Sequence, residues 1–364
     1  MKAEAVDNTV PSTEEINKLA LRAEFALRKF DPSQKPLRAP PLYCFDGVGF
    51  ATSGNISVIT ALPGAGKTGL VGSMLAAAMV EPDSAVDTMG ITAYNPAKQG
   101  VIFLDTEQSK EDFWDATHRA LRRAGLDQTP YWIRAYHLRG MPREKILSWL
   151  PDYMDQAAEE CQGIHSVLTD GYSELISDLN DQAECIRAVA QLMAWAEEYS
   201  CHFSGILHLN PDGAKSRGHF GSEISRRCET EFTLHRAKIE DVMHGPTRII
   251  QRKARRQWIV GTPTYDWSEE KQMHVRVAPP AKKEKQDRVA IARAAAEEAF
   301  GSSRALLRKE LVARIVSAKS VTSDSADNTI GTWAKLGVIR KTLLRGQWEM
   351  TPQAAGGQAS NTHD

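Results

Sequence analysis

The stretch that decides the fold runs from Asn55 to Thr68 and reads NISVITALPGAGKT. Its opening residues have the β-branched, apolar character of a buried strand, and a helical pattern continues from Thr68 to Val80. A glycine-rich turn that ends in Gly66-Lys67-Thr68 between a strand and a helix is the context that a phosphate-binding P-loop requires. The stretch therefore predicts a nucleotide site.

Each residue type in this turn has a physical task. Backbone N–H groups point inward, the glycines let the chain come close to phosphate, and the helix N-terminus favours an anion. Lys67 would reach the β- and γ-phosphates, and the Thr68 hydroxyl would ligate Mg²⁺. Ala61 stands where the usual motif has its first glycine. A P-loop binds phosphates and does not select the base, so we take ATP with Mg²⁺ as the default expectation. The residues expected to hold it are Pro63, Gly64, Ala65, Gly66, Lys67, Thr68 and Gly69.

A P-loop also needs a carboxylate that faces the metal from a neighbouring strand end. Asp170 closes the hydrophobic run 164–169, and Asp105 closes the run 101–104. The first run matches the Walker B pattern, so we predict that Asp170 binds Mg²⁺ through water. Glu107, just past Asp105, suits a general base that orients the attacking water. The alternative is that these are surface turn carboxylates, and for Asp105 both interpretations stay open.

Strand and helix patterns alternate from Leu42 to Ala278. Such alternation implies βαβ units and therefore an α/β fold with a mostly parallel central sheet. The further elements predicted between these limits are a loop at 81–99, strands at 101–104 and 165–169, a helix at 183–198, and strands at 205–209, 247–251 and 257–260.

Composition excludes several classes of protein. No apolar run in the 364 residues approaches the ~18–20 that a membrane span needs, and the N-terminus has no apolar segment typical of a secretory signal. The five cysteines are scattered and never spaced as CxxC, which argues against a disulfide framework or a zinc site. We expect a cytoplasmic protein that does not enter the membrane.

Composition also suggests how the chain divides. Residues 281–350 carry 14 lysines and arginines against 8 aspartates and glutamates, although the whole chain has a net charge of −1. This surplus fits either an appended nucleic-acid module or a solvated helix face. The predicted segments are 1–41 (a helix at 12–30 and a proline-rich connector), 42–278 (the α/β domain), 279–286 (a charged linker), 287–351 (a small helical domain with a hairpin) and 352–364 (a disordered tail).

The order of the P-loop, LDTEQ, VLTDG and LHLN resembles that of RecA-type P-loop ATPases. The sequence is similar in particular to plasmid RepA-type hexameric helicases and to AAA-type ATPases of mobile elements. The resemblance covers about residues 42–278 and implies a RecA-like core. It also implies that Glu107 is the catalytic base, that Asp170 is the Walker B aspartate and that His208, with Asn210 as its neighbour, senses the γ-phosphate. A satisfied structural histidine is the alternative for His208.

The resemblance gives roles to two basic stretches. Lys215 and Arg217 occupy the place of a mobile loop that faces single-stranded DNA in the channel of RecA-like rings. Lys253 and Arg255 match a K-x-R that reaches the nucleotide of a neighbouring subunit, and we expect no acidic residue nearby to pair with them. The alternative is a solvated basic strand that deters aggregation.

The segment 287–351 resembles a winged-helix domain. Its third helix can enter the major groove of duplex DNA, and the hairpin can contact phosphate. A winged helix that binds protein is the alternative, because the third helix has few basic residues. The residues expected at DNA are Ser325, Asn328, Thr329, Thr332, Lys335 and Arg345.

Two functions fit this pattern. The first is an ATP-hydrolysing ring motor of the RepA-type helicase class, in the replication or mobilisation of a plasmid or mobile element. We expect such a motor to be a homo-oligomer, namely a hexamer. The second is a regulatory ATPase of a mobile element that binds DNA without unwinding it. Phe220 is the aromatic residue near the channel loop, so stacking on bases has little support.

Overall fold

The computed structural model describes residues 12–210, 216, 218–239, 242–279, 285–319, 321–342 and 346–352. Between Ala278 and Pro279 the chain divides into a large N-terminal and a small C-terminal unit. The helices are α1 (Thr13–Leu27), α2 (Lys67–Ala77), α3 (Lys110–Ala124), α4 (Arg143–Cys161), α5 (Gln182–Glu198), α6 (Gly218–Arg227), α7 (Lys285–Phe300), α8 (Arg308–Lys319) and α9 (Ser323–Lys335), with a 3₁₀ turn at Tyr172–Leu175. Within the described ranges, every helix is too short or too polar to cross a membrane.

The strands are β1 (Tyr43–Phe45), β2 (Val48–Ala51), β3 (Asn55–Ala61), β4 (Ile91–Ala93), β5 (Gly100–Asp105), β6 (Ile133–His137), β7 (Ile164–Asp170), β8 (His202–His208), β9 (Thr230–Ile239), β10 (Val242–Ala254), β11 (Thr264–Ser268), β12 (Met273–Arg276), β13 (Ala305–Leu307), β14 (Ile339–Lys341) and β15 (Gln347–Met350). The main sheet has the order β12-β11-β10-β9-β3-β8-β7-β5-β6. Its strands from β9 to β6 are parallel, and β10, β11 and β12 extend it antiparallel. The predicted α/β fold with a RecA-like P-loop core is confirmed.

Helices cover both faces of this sheet. Helices α2 and α3 pack on one face, and α4, α5 and α6 pack on the other. Because both faces are covered, β5 and β7 are buried along their whole length. The residues of β5 before Asp105 form a continuous apolar run, whereas β7 also buries the polar side chains of His165, Ser166 and Thr169. The order of the strands places β8 between β3, which leads into the P-loop, and β7, which ends at Asp170.

The prediction of a loop at 81–99 is partly wrong. Ile91–Ala93 forms β4, which pairs antiparallel with β1 in a separate sheet of order β2-β1-β4. The partner strand lies far earlier in the chain, so no local pattern could reveal the pairing. Tyr43 and Phe45 of this sheet are fully buried in the core beside α2.

The prediction of a strand at 257–260 is wrong. The side chain of Gln251 holds this segment against β10, accepting a hydrogen bond from the Ile259 N–H at 2.7 Å and donating to the Gln257 carbonyl at 3.3 Å. These hydrogen bonds to a side chain replace the backbone hydrogen bonds that would pair the segment as a strand. Trp258 and Val260 stay 58% and 84% exposed, and the strand after β10 begins only at Thr264.

Helix α1 begins as predicted and ends earlier than residue 30. Ser12 and Glu15 form a capping box, in which each side chain accepts a hydrogen bond from the backbone N–H of the other residue. The helix buries none of its residues. The connector with Pro32, Pro36, Pro40 and Pro41 follows in an exposed, irregular conformation.

The C-terminal unit combines α7, α8 and α9 with a three-stranded antiparallel sheet of order β13-β15-β14. Strands β14 and β15 form the hairpin that the sequence predicted. The apolar side chains of the helices meet under the sheet, and the largest contributors to this core are Phe300, Leu311, Ile330, Trp333 and Trp348. The unit is therefore a small helical domain with its own core.

Candidate nucleotide site

The phosphate loop lies where β3 ends and α2 begins. Gly64 and Gly66 have φ angles of 75° and 81°, a left-handed backbone conformation that residues with a Cβ rarely adopt. Gly66 is the N-cap of α2, and within the described chain no side chain caps this helix end. The first N–H groups of α2 are therefore available to an anion, which the helix dipole also favours.

Alanine in place of the usual first glycine of the motif is compatible with this geometry. Ala61 is the last residue of β3, fully buried and paired with His208 on one side and Leu234 on the other. A residue in the middle of a sheet has an extended backbone, so alanine fits there. Pro63 is exposed at the tip of the loop, and Ala65 is buried.

Lys67 points to the centre of the site. Its Nζ atom lies 3.4 Å from the Leu62 carbonyl oxygen and 3.4 Å from Nδ1 of His208, and the residue is only 8% exposed. Burial lowers the pKa of Lys67, against the opposing effect of the carboxylates of Glu107 and Asp170. The ammonium group is thus prepared to bind an anion that compensates for its burial.

Thr68 and Asp170, the two predicted metal ligands, are in direct contact. The Thr68 hydroxyl donates a hydrogen bond of 2.9 Å to Oδ2 of Asp170. Burial, and next the charge of Asp105, raise the pKa of Asp170 to about 6. A cation bound beside Asp170 would offset both the burial of its carboxylate and the repulsion by Asp105. Since Mg²⁺ is usually held by one or two protein oxygens together with phosphates and water, the donor set of Thr68 and Asp170 fits Mg²⁺.

Asp105 has a structural task, which settles the alternatives left open for it. It is fully buried, and its Oδ1 accepts hydrogen bonds from the backbone N–H groups of Glu107 and Gln108 at 3.1 and 2.9 Å. These bonds fix the turn after β5. Asp105 is therefore neither a surface carboxylate nor positioned to take a metal in place of Asp170.

Gln108 is a site residue that the sequence did not reveal. Its Nε2 donates to Oδ2 of Asp105 at 2.7 Å and to Oδ2 of Asp170 at 3.1 Å. One amide therefore links the two buried carboxylates at the ends of β5 and β7. Its place next to Glu107 in the sequence LDTEQ was the signal that could have identified it.

Glu107 and His208 lie together at the edge of the phosphate site. His208 Nε2 is 3.3 Å from Oε2 of Glu107, and the other ring nitrogen faces Lys67. The hydrogen bond from His208 is the main cause of the lowered pKa of Glu107. Because β8 lies between β3 and β7, the last residue of β8 reaches both the P-loop lysine and the carboxylate after β5.

The antiparallel extension supports the P-loop from behind, which the sequence did not reveal. Thr247 of β10 donates to the Ala65 carbonyl at 3.0 Å, and Tyr265 of β11 donates to the Gly66 carbonyl at 2.9 Å. His274 of β12 packs beside them, so close that a Cβ built on Gly69 would lie 2.6 Å from its Nδ1. Burial, and next the charge of Arg123, lower the pKa of His274 to about 4.

A cavity of about 240 Å³ continues from the P-loop along α2. Its walls come from three elements that meet there. Gly69 and Gly72 of α2 leave their backbone uncovered, α3 contributes Arg119 and Arg123, and β12 contributes His274. The residues of the phosphate site line the same cavity, so it is one space that runs from the P-loop along α2.

Lys253 and Arg255 are bound within their own unit. The Lys253 ammonium donates to the carbonyls of Ser225 and Arg226 at 2.7 Å each. Arg255 donates through Nη2 to the Arg227 carbonyl at 3.0 Å and through Nε to the Cys228 carbonyl at 3.1 Å. Both cations therefore neutralise the negative end of α6.

The expectation that this cluster lacks acidic neighbours is wrong. Glu231 of β9 stands opposite Lys253 in the strand pair, and Arg256 forms a salt bridge of 2.9 Å with Glu229. These carboxylates come from the neighbouring strand region rather than from the sequence around Lys253. The basic stretch is thus partly neutralised by its own fold.

The residues expected at DNA fall into two groups. Lys215, Arg217 and Arg345 lie outside the described residues. On α9, the buried side is formed by Ala326, Ile330 and Trp333, and the predicted contacts lie on the remaining surface. That surface is exposed or half-buried at Ser325, Asn328, Thr329, Thr332 and Lys335.

Two features of α9 weigh on its predicted contact with DNA. The hydroxyls of Thr329 and Thr332 donate to carbonyls of their own helix, at 2.9 Å each. The helix also carries Asp324 and Asp327, and Asp327 is paired with Arg308 of α8 at 2.7 Å. The outer face of α9 is therefore polar but not basic.

One protein-family model matches this chain. The AAA_25 model, described as an AAA domain, matches residues 24–214. No curated protein sequence matches the chain. The matched range covers just over half of the 364 residues and contains the P-loop, Glu107, Asp170 and His208. The chain therefore belongs to the AAA_25 family of AAA domains, and its N-terminal unit is an ATPase domain of the P-loop class.

Proposed function

We propose that this chain is an ATP-hydrolysing ring motor on DNA, of the RepA-type helicase class, which serves the replication or mobilisation of a plasmid or mobile element. One observation carries the proposal: Lys67, His208 and Glu107 form a continuous polar row beside the Thr68–Asp170 pair. This arrangement supplies both a phosphate anchor and a base for water. It favours hydrolysis over simple nucleotide binding.

Each of these groups would have its own role in hydrolysis. The N–H groups of α2 and the Lys67 ammonium neutralise the β- and γ-phosphates, and Thr68 and Asp170 would hold Mg²⁺. When bound, Mg²⁺ adds positive charge next to the phosphate oxygens. Glu107 orients the attacking water and accepts its proton. His208 contacts both Glu107 and Lys67, so it can report whether the γ-phosphate is present.

A ring of six copies would place a second subunit next to each nucleotide. Lys253 and Arg255 are our candidates for the groups that this neighbour contributes. In the single chain both hold the C-terminal end of α6, whose N-terminal end follows Lys215 and Arg217 in sequence. A neighbour's phosphate that attracted the two cations would release α6, and the loop before it would move on single-stranded DNA. The C-terminal unit would hold duplex DNA through α9.

The second candidate is a regulatory ATPase that binds DNA but does not unwind it. Two observations favour it. Phe220 of α6, the aromatic residue next to the proposed channel loop, is 1% exposed and packs into the core, so it is not available to stack on bases. Asp324 and Asp327 reduce the attraction of α9 for phosphate. Both observations weaken the grip on DNA that a motor requires.

Steady-state ATP hydrolysis separates the two candidates. Turnover is measured for the protein alone, with single-stranded DNA and with duplex DNA, and Lys67→Ala provides the background. Strong stimulation by single strands, followed by strand displacement in an unwinding assay, would support the motor. Activity that ignores single strands or responds only to duplex DNA would favour the regulator. Hydrolysis no greater than that of Lys67→Ala would contradict both.

A further inference from the structure

Two consecutive carbonyl groups of the P-loop face the strands that extend the sheet. The Thr247 hydroxyl donates to the Ala65 carbonyl at 3.0 Å. The Tyr265 hydroxyl donates to the next carbonyl, that of Gly66, at 2.9 Å. Thr247 and Tyr265 stand directly opposite each other in the pair of β10 and β11, so their side chains lie on one face of the sheet. Two neighbouring hydroxyls therefore hold two neighbouring carbonyls.

A third contact continues this row on β9. Nη1 of Arg236 lies 3.4 Å from the Gly64 carbonyl oxygen. The Arg236 side chain is itself held by the Gly245 carbonyl, which accepts from its Nε at 2.7 Å, and by Asp266, whose Oδ1 lies 3.7 Å from its Nη2. Strands β9, β10 and β11 thus meet the carbonyls of residues 64, 65 and 66 in the same order. This side of the loop is fixed by the sheet.

Both hydroxyls are buried, and they serve the loop rather than the packing of the core. Thr247 is 1% exposed and Tyr265 is fully buried. Burial raises the pKa of Tyr265, so its hydroxyl keeps the proton that it donates. Valine and phenylalanine have nearly the same shapes and would fill the same space. Within the described part of the chain, the lining of the nucleotide cavity includes His274 but neither hydroxyl, so the two act on the loop from its other side.

Gly66 permits the conformation of the loop but does not select it. Its φ angle of 81° lies in a region that glycine populates about as readily as negative φ. A Cβ built on Gly66 would lie 3.2 Å from Cε2 of Tyr265 and 3.2 Å from Nε2 of His274. The missing side chain thus lets the strands come this close. The contacts that they make must then select one of the backbone conformations open to glycine.

We propose that Thr247 and Tyr265 are positioning residues, which turn N–H groups of the P-loop towards the phosphates of a bound nucleotide. In a planar trans peptide the N–H points away from the carbonyl of the same unit. Carbonyls held by the strands therefore direct the N–H groups of Gly66 and Lys67 to the opposite side, where a P-loop binds the α- and β-phosphates. ATP and ADP share these phosphates. Such preorganisation strengthens binding of both.

The first test compares two buried tyrosines. Tyr265→Phe removes the hydroxyl that holds the Gly66 carbonyl. Tyr43→Phe is the matched control, because it removes an equally buried hydroxyl that bonds to Ser166 near the start of β7, at the far end from Asp170. Calorimetric titration should show that Tyr265→Phe weakens ADP and ATP by the same factor, about 5–20-fold, and that Tyr43→Phe binds both normally. Equal affinities of the two variants would overturn the proposal.

The second test separates positioning from stability at Thr247. Thr247→Val removes the hydroxyl and keeps the shape, whereas Thr247→Ser keeps the hydroxyl and removes a buried methyl group. Both variants should lose some stability in thermal unfolding, one through a lost hydrogen bond and the other through a small cavity. The affinity for ADP should fall in Thr247→Val alone. Affinities that follow the stabilities of the two variants, rather than the hydroxyl, would contradict the proposal.

Steady-state hydrolysis gives a third measurement, which rests on the proposed function, whereas the titrations with ADP do not. Contacts to the α- and β-phosphates are present both before and during the reaction, so Tyr265→Phe should raise KM and change kcat by less than about 2-fold. A fall of kcat equal to the loss of affinity would contradict a positioning role. Unchanged ADP affinity with intact hydrolysis would reject the positioning alone, and the expected titrations without hydrolysis above Lys67→Ala would reject the proposed motor alone.

Discussion

His208 Nε2 lies 3.3 Å from Oε2 of Glu107, while its Nδ1 lies 3.4 Å from Nζ of Lys67. One imidazole therefore joins the group that anchors phosphate to the group that activates water. The three residues come from the ends of β5 and β8 and from the start of α2, and the strand order of the sheet brings those three points together.

The row formed by Lys67, His208 and Glu107 predicts separate effects on nucleotide binding and on turnover. Glu107→Gln keeps the shape of the side chain but removes the base, so ATP hydrolysis should fall by about 100-fold or more while nucleotide affinity changes little. Single-turnover hydrolysis and a fluorescent-nucleotide titration measure the two effects. Glu111→Gln, an exposed carboxylate in the first turn of α3, is the control. Hydrolysis by Glu107→Gln at the wild-type rate would reject Glu107 as the base.

The buried Asp170 predicts a pH dependence of stability. Its pKa in the fold is about 6, above the value of about 3.9 for an unfolded aspartate, so the folded chain binds this proton more tightly. Without nucleotide and Mg²⁺, the free energy of unfolding should therefore decrease by about 2–3 kcal/mol as the pH rises from about 4 to about 6. Asp170→Asn should lose this part of the slope. Denaturant unfolding of both proteins across this range measures it, and parallel curves would contradict the expectation.

Two glycines one turn apart on α2 should respond in opposite ways to alanine. At Gly69 the new Cβ would lie 2.6 Å from His274 Nδ1, on a ring that packs against Tyr265 and Trp267, so the variant should lose about 1–3 kcal/mol of stability. At Gly72 nothing lies within 4 Å, and alanine should gain about 0.5–1 kcal/mol. Thermal unfolding compares them. Gly69→Ala combined with His274→Ala should recover part of the loss, and a similar change in both single variants would refute the argument.

The hydrogen bonds from Lys253 to the end of α6 should contribute to the stability of the single chain. Three carbonyls at the end of α6 accept from Lys253 and Arg255 at 3.0 Å or less, so Lys253→Ala should lower the free energy of unfolding by about 1–2 kcal/mol. Arg252→Ala, at the exposed neighbouring position, should change it by less than about 0.5 kcal/mol. Chemical denaturation under conditions that keep the chain monomeric measures both. If the two variants were equally stable, the bonds to α6 would contribute nothing.

The sequence was most informative where function restricts the local pattern. The P-loop, the strands that end at Asp105 and Asp170, and the boundaries of α5 follow from glycines, apolar runs and capping residues that lie close together in the chain. The resemblance to RecA-type ATPases then supplied roles for Glu107 and His208. The structure brings these side chains into contact, although their catalytic roles remain predictions.

What the sequence could not predict depends on distant partners. Thr247, Tyr265 and His274 act on the P-loop from nearly 200 residues away, and no spacing rule connects them to it. The segment 257–260 has strand-forming residues, but the Gln251 side chain gives its backbone other partners. Lys253 and Arg255 have partners that are backbone carbonyls, which no sequence pattern identifies.

The support that β10 and β11 give to the P-loop has a consequence for synthesis. Ala65 and Gly66 leave the ribosome 182 and 199 residues before the side chains that hold their carbonyls, Thr247 and Tyr265. Until Thr230–Ile239 has been made, β3 also lacks its neighbour β9, and closing so long a segment is slow. We therefore expect a nascent chain to acquire its affinity for nucleotide late, so that an incomplete product neither captures nor consumes ATP.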